Sequence, residues 1–313
     1  MEDKQEALVL KSTGSWYKVR TLEGAYFDAK LRGKHKVKGI RSTNPIAVGD
    51  KVLFELDQSG DEEIAIIIDI QKRENYIARK SINKSANSHI LAANVDQAVL
   101  VATIQEPATS LGFIDRFLVV CESFRIPAII VFNKSDLFTE GAKEYFNQVN
   151  SLYHSIGYTN FAVSAKLGDD INKLKELLKG KKTLLSGHSG VGKSSLINKI
   201  YPEKDLKIGD LSTHHNKGKH TTTFAEMLEL EANTYVIDSP GIQELGLVDM
   251  EPETISHYFP EMRKVLGECK FNNCSHIHEP GCVIKEEVDS GKIYETRYMN
   301  YLSMYSGEDF KES

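Results

Sequence analysis

The chain has 313 residues, is 41% hydrophobic and 27% charged, and carries a formal net charge of -5. That is an ordinary globular mixture with apolar material for about two domains, and the negative sum excludes nucleic-acid affinity spread over the whole surface, leaving only local patches. No run approaches about 18 consecutive apolar residues, so no transmembrane helix is expected. The acidic start, Met1-Glu2-Asp3-Lys4-Gln5-Glu6, is not that of a signal peptide; a cytoplasmic location is expected.

Residues 1–72 read as a small β-barrel, with an OB-fold as the leading candidate. Ala25, Phe27, Ala29 and Leu31 alternate with Tyr26, Asp28, Lys30 and Arg32, the period of a half-buried strand. Val52-Leu53-Phe54 and residues 64–70 supply further β-rich runs. Turn signals separate the runs at Gly14-Ser15, Val48-Gly49-Asp50 and Ser59-Gly60-Asp61. Residues 73–93 are polar and basic and read as a linker. From 94 to 248, strands alternate with helices: strands at 98–104, 128–132, 161–164 and 183–186, and helices at 113–124, 142–156 and 170–178. This predicts an α/β domain with a parallel sheet. Residues 224–230 and 234–237 read as an antiparallel hairpin. Residues 249–313 read as a small helical domain, with helices over 252–266 and 285–305.

Four motifs carry chemistry. Gly187-His188-Ser189-Gly190-Val191-Gly192-Lys193-Ser194-Ser195 contains G-x-x-x-x-G-K-S between a strand and a helix. In that context backbone N–H groups wrap the phosphates, Lys193 reaches the β and γ phosphates, and the Ser194 hydroxyl binds Mg²⁺. Asn133-Lys134-Ser135-Asp136 follows an apolar strand, at the end where α/β sheets place ligand loops. The Asp136 carboxylate can accept from both N1–H and N2–H₂ of guanine, a donor pair that adenine lacks, so GTP is the expected nucleotide. Ser164-Ala165-Lys166 lies some thirty residues on and backs the base. Asp238-Ser239-Pro240-Gly241 follows another strand, with Asp238 expected on a Mg²⁺-bound water and the Gly241 N–H at the γ-phosphate. One of Thr221, Thr222 and Thr223 is expected to complete the Mg²⁺ sphere; Thr222 is favoured, but spacing alone does not choose. Ile242 stands where many GTPases carry a water-orienting glutamine, and an isoleucine cannot orient water. His220 is the nearest candidate for that task. Slow intrinsic hydrolysis with activation by a partner is the expected consequence.

Two further features lie outside the nucleotide motifs. Cys269-x₄-Cys274-x-His276-x₅-Cys282 offers three thiolates and one imidazole, a set suited to one structural zinc ion with no open position. Spacing leaves His278 as a competitor for His276. Lys30, Arg32, Lys34, Lys36 and Lys38 recur at a spacing of two and would form a basic stripe on one face if the strand continues, a candidate RNA-binding surface. Lys72, Arg73, Arg79, Lys80 and Lys84 form a second basic cluster.

The order of the nucleotide motifs is unusual: base-reading loops first, phosphate loop afterwards. It resembles that of a circularly permuted GTPase. Together with an OB-like barrel and C-x₄-C-x-H-x₅-C, the chain resembles the ribosome small-subunit-dependent GTPase A family of bacteria over essentially its whole length. Gly218-Lys219-His220-Thr221-Thr222-Thr223 and the cysteine spacing are the most specific marks of the likeness. The resemblance implies a GTP hydrolase that binds the small ribosomal subunit and its rRNA and assists its late maturation. It also implies slow hydrolysis stimulated by that subunit, with hydrolysis driving release. It favours His276 over His278 as ligand and His220 as the catalytic histidine. Zinc, Mg²⁺ with GTP or GDP, and a monomer able to meet other assembly factors complete the expectation. Because the permuted order leads the switch segments straight into the C-terminal domain, nucleotide state is expected to set the angle between that domain and the barrel.

Overall fold

The computed structural model describes residues 4–32, 45–57, 63–80, 88–206, 226–238 and 250–307. Five strands open the chain: β1 (Gln5–Ser12), β2 (Tyr17–Thr21), β3 (Tyr26–Leu31), β4 (Lys51–Asp57) and β5 (Ile64–Ile70). β1 pairs antiparallel with both β2 and β4, β2 with β3, and β4 with β5, while β3 runs parallel to β5. These pairings close a five-stranded barrel, as the OB expectation requires. The alternation that predicted β3 has a direct cause. Ala29 is fully buried while Asp28 and Lys30 are exposed. Ala29 joins Val9, Val19, Val52, Phe54, Ala65 and Ile67 in the barrel core. Closure removes the sheet edges that would otherwise template aggregation.

Residues 73–93, expected as a linker, carry two paired strands, β6 (Tyr76–Lys80) and β7 (Ser88–Ala93). Ile77, Leu91, Ala92 and Ala93 are buried there. The basic composition of the segment concealed this apolar content. Arg73 also departs from the expected basic cluster. Its guanidinium grips Asp50 through two hydrogen bonds of 2.6 Å and donates to the Pro45 carbonyl at 2.8 Å. It is a buried ion-pair partner and is not offered to nucleic acid.

The remaining elements in chain order are β8 (Gln97–Ala102), α1 (Leu111–Ser123), β9 (Ala128–Phe132), α2 (Glu140–Ile156), β10 (Thr159–Ala162), α3 (Ile171–Leu178), β11 (Lys182–Ser186), α4 (Lys193–Ile200), β12 (Glu226–Glu231), β13 (Thr234–Asp238), α5 (Pro260–Arg263), α6 (Val283–Asp289) and α7 (Glu295–Ser306). The expected helix over 252–266 is a 3₁₀ turn at Pro252–Tyr258 followed by α5; Pro260 has no N–H with which to continue the first turn. The expected helix over 285–305 is two helices, α6 and α7, parted at Gly291, whose φ of +76° a continuous helix does not allow. No described helix is long and apolar enough to cross a membrane.

The chain divides into two compact units. One comprises Met1–Val99, Ile171–Ser186 and Lys193–Gln243. In it β12 and β13 form the expected antiparallel hairpin, β13 runs parallel to β11, and β12 pairs with β1 of the barrel. Lys11 bridges to Glu226 at 2.9 Å, and Arg20 to Glu229 at 3.0 Å.

The other unit comprises Leu100–Asp170, Gly187–Gly192 and Glu244–Ser313. In it β9 and β10 run parallel, and the C-terminal helices pack on α1. Val119 of α1 sits with Ile255, Phe259, Met262, Ile284, Tyr301 and Met304. At this junction Arg297 of α7 is 1% exposed. It donates to Asp115 of α1 at 2.6 Å and to both oxygens of Glu261 at 2.6 and 3.2 Å. Tyr153 and Asn300 donate to the same aspartate at 2.7 and 2.5 Å. Removing one member would leave a buried charge unpaired. Arg297→Met is therefore expected to destabilise this unit by about 3–5 kcal/mol, read as a shifted midpoint in chemical denaturation; an unchanged midpoint would show that the network contributes nothing.

Candidate functional site

The base-reading loops and the phosphate loop meet at Asn133. Strand β9 delivers Asn133-Lys134-Ser135-Asp136 at its C-terminal end, and its parallel neighbour β10 delivers Ser164-Ala165-Lys166 at the same end. Asn133 is 2% exposed. Its backbone N–H donates to Ala102 at 2.8 Å, its side-chain carbonyl accepts from the Ala165 N–H at 3.2 Å, and its side-chain NH₂ donates to the Val191 carbonyl at 2.8 Å. One side chain thus ties both neighbouring loops together. Lys134, at φ +65°, turns the chain into a short 3₁₀ helix over Ser135–Leu137, and its Nζ reaches the Glu106 carbonyl. The Ser164 hydroxyl donates to Asp136 at 2.7 Å and accepts from the Leu167 N–H at 3.0 Å. The Asp136 carboxylate is thereby held while it remains partly exposed and free to meet a ligand. Lys166 is exposed.

Strand β11 runs directly into the phosphate loop. A Cβ at Gly187 would collide with the Val101 carbonyl, and one at Gly192 with the Asn133 amide. Both have positive φ, at 143° and 93°, so glycine is required twice over. Ser189 and Gly190 are exposed, Val191 is buried, and Lys193, Ser194 and Ser195 open α4, with Lys193 and Ser194 buried. His188 is half-buried and lies against Phe113 of α1, with ring centroids 3.8 Å apart. Asp238 is placed by its backbone at the end of β13, opposite Leu185 of β11. His220, Thr222 and Gly241 lie outside the described residues, as do Lys34, Lys36 and Lys38. Of the basic stripe, Lys30 sits 3.9 Å over the exposed Trp16 ring, and Arg32 pairs with Glu55 at 2.5 Å. Of the two described stripe residues, Arg32 is therefore already paired with an acid.

The C-terminal cluster assembles as expected. One ligand atom each from Cys269, Cys274, His276 and Cys282 lies within 4.8 Å of the others, so the four could hold one metal ion. His278 is exposed and outside the group. The His276 Nδ1 is 3.6 Å from the Cys269 Sγ and 3.5 Å from the Cys282 Sγ. Burial lowers the His276 pKa, keeping the ring neutral and able to ligate. Burial pushes the Cys274 thiol up to about 12 and raises Cys282 as well, so an incoming cation must displace their protons. Cys121, the remaining cysteine, is buried in α1, with its thiol held protonated by burial.

Comparison with known proteins sets these geometries in a family. The family model for the RsgA GTPase matches residues 70–248, and that for the RsgA N-terminal domain matches residues 6–64. The small ribosomal subunit biogenesis GTPase RsgA 2 of Bacteroides thetaiotaomicron is 51% identical over 304 residues, 97% of each chain. The chain belongs to the RsgA GTPase family.

An RsgA of Christiangramia forsetii is 45% identical over 97% of this chain and 96% of its own. Among solved structures, YjeQ from Thermotoga maritima matches with a TM-score of 0.77 and 34% identity, covering 97% of this chain and 98% of that one. YloQ, described as a circularly permuted GTPase, matches with a TM-score of 0.75 and 25% identity over 99% and 97% of the two chains. The RsgA likeness thus spans barrel, GTPase and C-terminal helices, and the motif order is that of a permuted GTPase. The RsgA GTPase model begins at residue 70, so it takes in the β6–β7 hairpin. Sequence reasoning missed three contributors: Phe113 against the phosphate-loop His188, the Asp115–Arg297 pair, and Glu279 beside the cysteine–histidine cluster. No motif spacing marks them, because each is recognised only by what it touches.

Proposed function

We propose that the chain hydrolyses GTP to GDP and phosphate while bound to the small ribosomal subunit and its rRNA, assisting late maturation of that subunit and leaving it on hydrolysis. The observation that carries the reading is the Asn133 tie, which brings a guanine-reading carboxylate and a phosphate loop to one place. Membership of the RsgA family, with relatives named as small ribosomal subunit biogenesis GTPases, supports the ribosomal part.

In this reading Asp136, steadied by Ser164, accepts the N1–H and N2–H₂ of guanine, while Ala165 and Lys166 back the base. Backbone N–H groups of 187–192 cradle the phosphates, with Lys193 neutralising charge that builds toward the leaving oxygens. Ser194, Thr222 and Asp238 would hold Mg²⁺, which would supply neutralisation of the phosphate charge. Gly241 reads the γ-phosphate, and His220 orients the attacking water in place of the glutamine that Ile242 replaces. Slow turnover without the subunit follows from leaving that task incomplete. We propose the division 1–72 barrel, 73–93 connecting segment, 94–248 GTPase and 249–313 metal-binding domain, acting as a monomer in the cytoplasm, with nucleotide state setting the angle between the last domain and the barrel. Lys30, with Lys34, Lys36 and Lys38, is the proposed rRNA contact; Arg32 contributes after exchanging Glu55 for phosphate.

The metal is proposed to be zinc. With Zn–S near 2.3 Å and Zn–N near 2.0–2.1 Å, tetrahedral geometry sets sulfur and nitrogen about 3.6 Å apart, matching the 3.5 and 3.6 Å found at His276. Four protein ligands leave no position for substrate, so the ion is structural.

Two measurements test the function. Asp136→Asn replaces an acceptor with a donor on one arm, and preference is expected to move from guanine to xanthine nucleotides; unchanged GTP preference sinks the base assignment. GTP turnover should be low in buffer and rise by about 10³-fold or more with free small subunits. Equal stimulation by whole ribosomes would favour a factor acting on mature ribosomes instead.

A further inference from the structure

His276 carries a strained backbone. Its φ is +61°, in the left-handed region uncommon for residues other than glycine, and the residue is 4% exposed. Such a conformation persists only where the surroundings over-determine it. The surroundings here are specific. The Glu279 carboxylate accepts from the Ser275 N–H at 2.9 Å and the Ser275 hydroxyl at 2.7 Å with one oxygen. Its other oxygen accepts from the Ile277 and His278 N–H groups, both at 3.2 Å. These donors bracket His276 on both sides. Across the loop, the Tyr301 hydroxyl donates to the Ser275 carbonyl and the Tyr298 hydroxyl to the His276 carbonyl, each at 2.7 Å.

Glu279 also borders the cluster directly. The Cys274 thiol donates to its Oε2 at 3.7 Å, so the carboxylate that folds the loop also touches one of the cluster's sulfurs. Both of its oxygens accept hydrogen bonds from the loop. Glu279 is not itself among the four residues whose ligand atoms converge. On the far side, the Lys270 N–H donates to the Gly281 carbonyl at 3.0 Å, joining the segment that carries Cys269 to the one that carries Cys282.

We propose that Glu279 is a positioning residue of the metal centre. It folds the Ser275–His278 loop around its carboxylate, with Tyr298 and Tyr301 as backing, so that Cys274 and His276 are set before the ion arrives. The proposal rests on the reading of the cluster as a zinc site and adds the group that pre-organises it.

The test uses the full chain as wild type, Glu279→Ala and Glu279→Gln, each loaded with zinc or cobalt and titrated against a competing chelator. GDP binding reports that each variant is folded. Removing the carboxylate is expected to weaken zinc binding about 10–100-fold, the usual cost of losing an outer-shell partner. Glu279→Gln should fall between, because it keeps one acceptor for Ser275 but turns an NH₂ toward the Ile277 and His278 N–H groups. The cobalt form of the wild type should show the intense visible bands of a tetrahedral thiolate site, and Glu279→Ala should weaken them at equal metal content, a change that general destabilisation would not cause in a folded chain. Wild-type zinc affinity together with a wild-type cobalt spectrum in Glu279→Ala would overturn the proposal while leaving the zinc site intact. Should Glu279→Ala fail to bind GDP, the Gln variant decides by the same criteria. Failure of the wild type to take up either metal would overturn the zinc reading itself.

Discussion

The proposed nucleotide site depends on one buried amide. Asn133 has little access to solvent, so each polar group of its side chain must find a protein partner or leave a desolvated donor or acceptor costing about 1–3 kcal/mol. It finds them in two other loops, at Ala165 and at Val191. A GTPase needs its base-reading loops and its phosphate loop at fixed separation, and this cross-link supplies the separation. Chain order does not enter. Parallel β9 and β10 bring the two base-reading loops to the same end of their sheet whichever of the motifs comes first in the sequence. That is why a permuted sequence can keep the chemistry of an ordinary one.

The same unit carries the C-terminal helices, and the attachment is ionic as well as apolar. Arg297, Asp115 and Glu261 are joined by short hydrogen bonds in a buried setting, with Tyr153 and Asn300 completing the aspartate's needs. Such a group is a poor source of net stability but specifies how α7 meets α1. Two residues before Asp115, Phe113 faces the phosphate-loop His188. Helix α1 therefore touches the C-terminal module through Asp115 and Val119 and the phosphate loop through Phe113. In the other unit the β12–β13 hairpin, which leads to Asp238, is joined to the barrel strand β1 by backbone pairing and by Lys11–Glu226 and Arg20–Glu229. Each unit thus joins a segment that carries one of the proposed nucleotide motifs to the barrel or to the C-terminal helices.

Legibility in the sequence followed the range of the interactions. Local periodicity was sufficient for the barrel strands, since Ala29 and its neighbours alternate in burial as they do in polarity. The phosphate loop and Asn133-Lys134-Ser135-Asp136 were legible because their chemistry is carried by contiguous residues. The cysteine spacing was legible as a set, yet only the fold separates buried His276 from exposed His278. Long-range partners were not legible. Arg73 reads as one more surface cation until Asp50, 23 residues earlier, closes on it. Arg297 and Asp115, 182 positions apart, show no sign of each other in the sequence. The break between α6 and α7 was available at Gly291 and went unread because the flanking segments are both helical in pattern.

The most direct test of the account is the affinity of Asn133→Ala for GTP, GDP and GMP beside the wild type, in a chain shown to be folded by its unfolding midpoint. If the amide fixes the spacing of base and phosphate loops, GTP and GDP, which engage both, should each lose about 5–160-fold, corresponding to about 1–3 kcal/mol, and GMP, which engages the phosphate loop least, should lose less. Equal affinities for all three nucleotides in wild type and Asn133→Ala would contradict it.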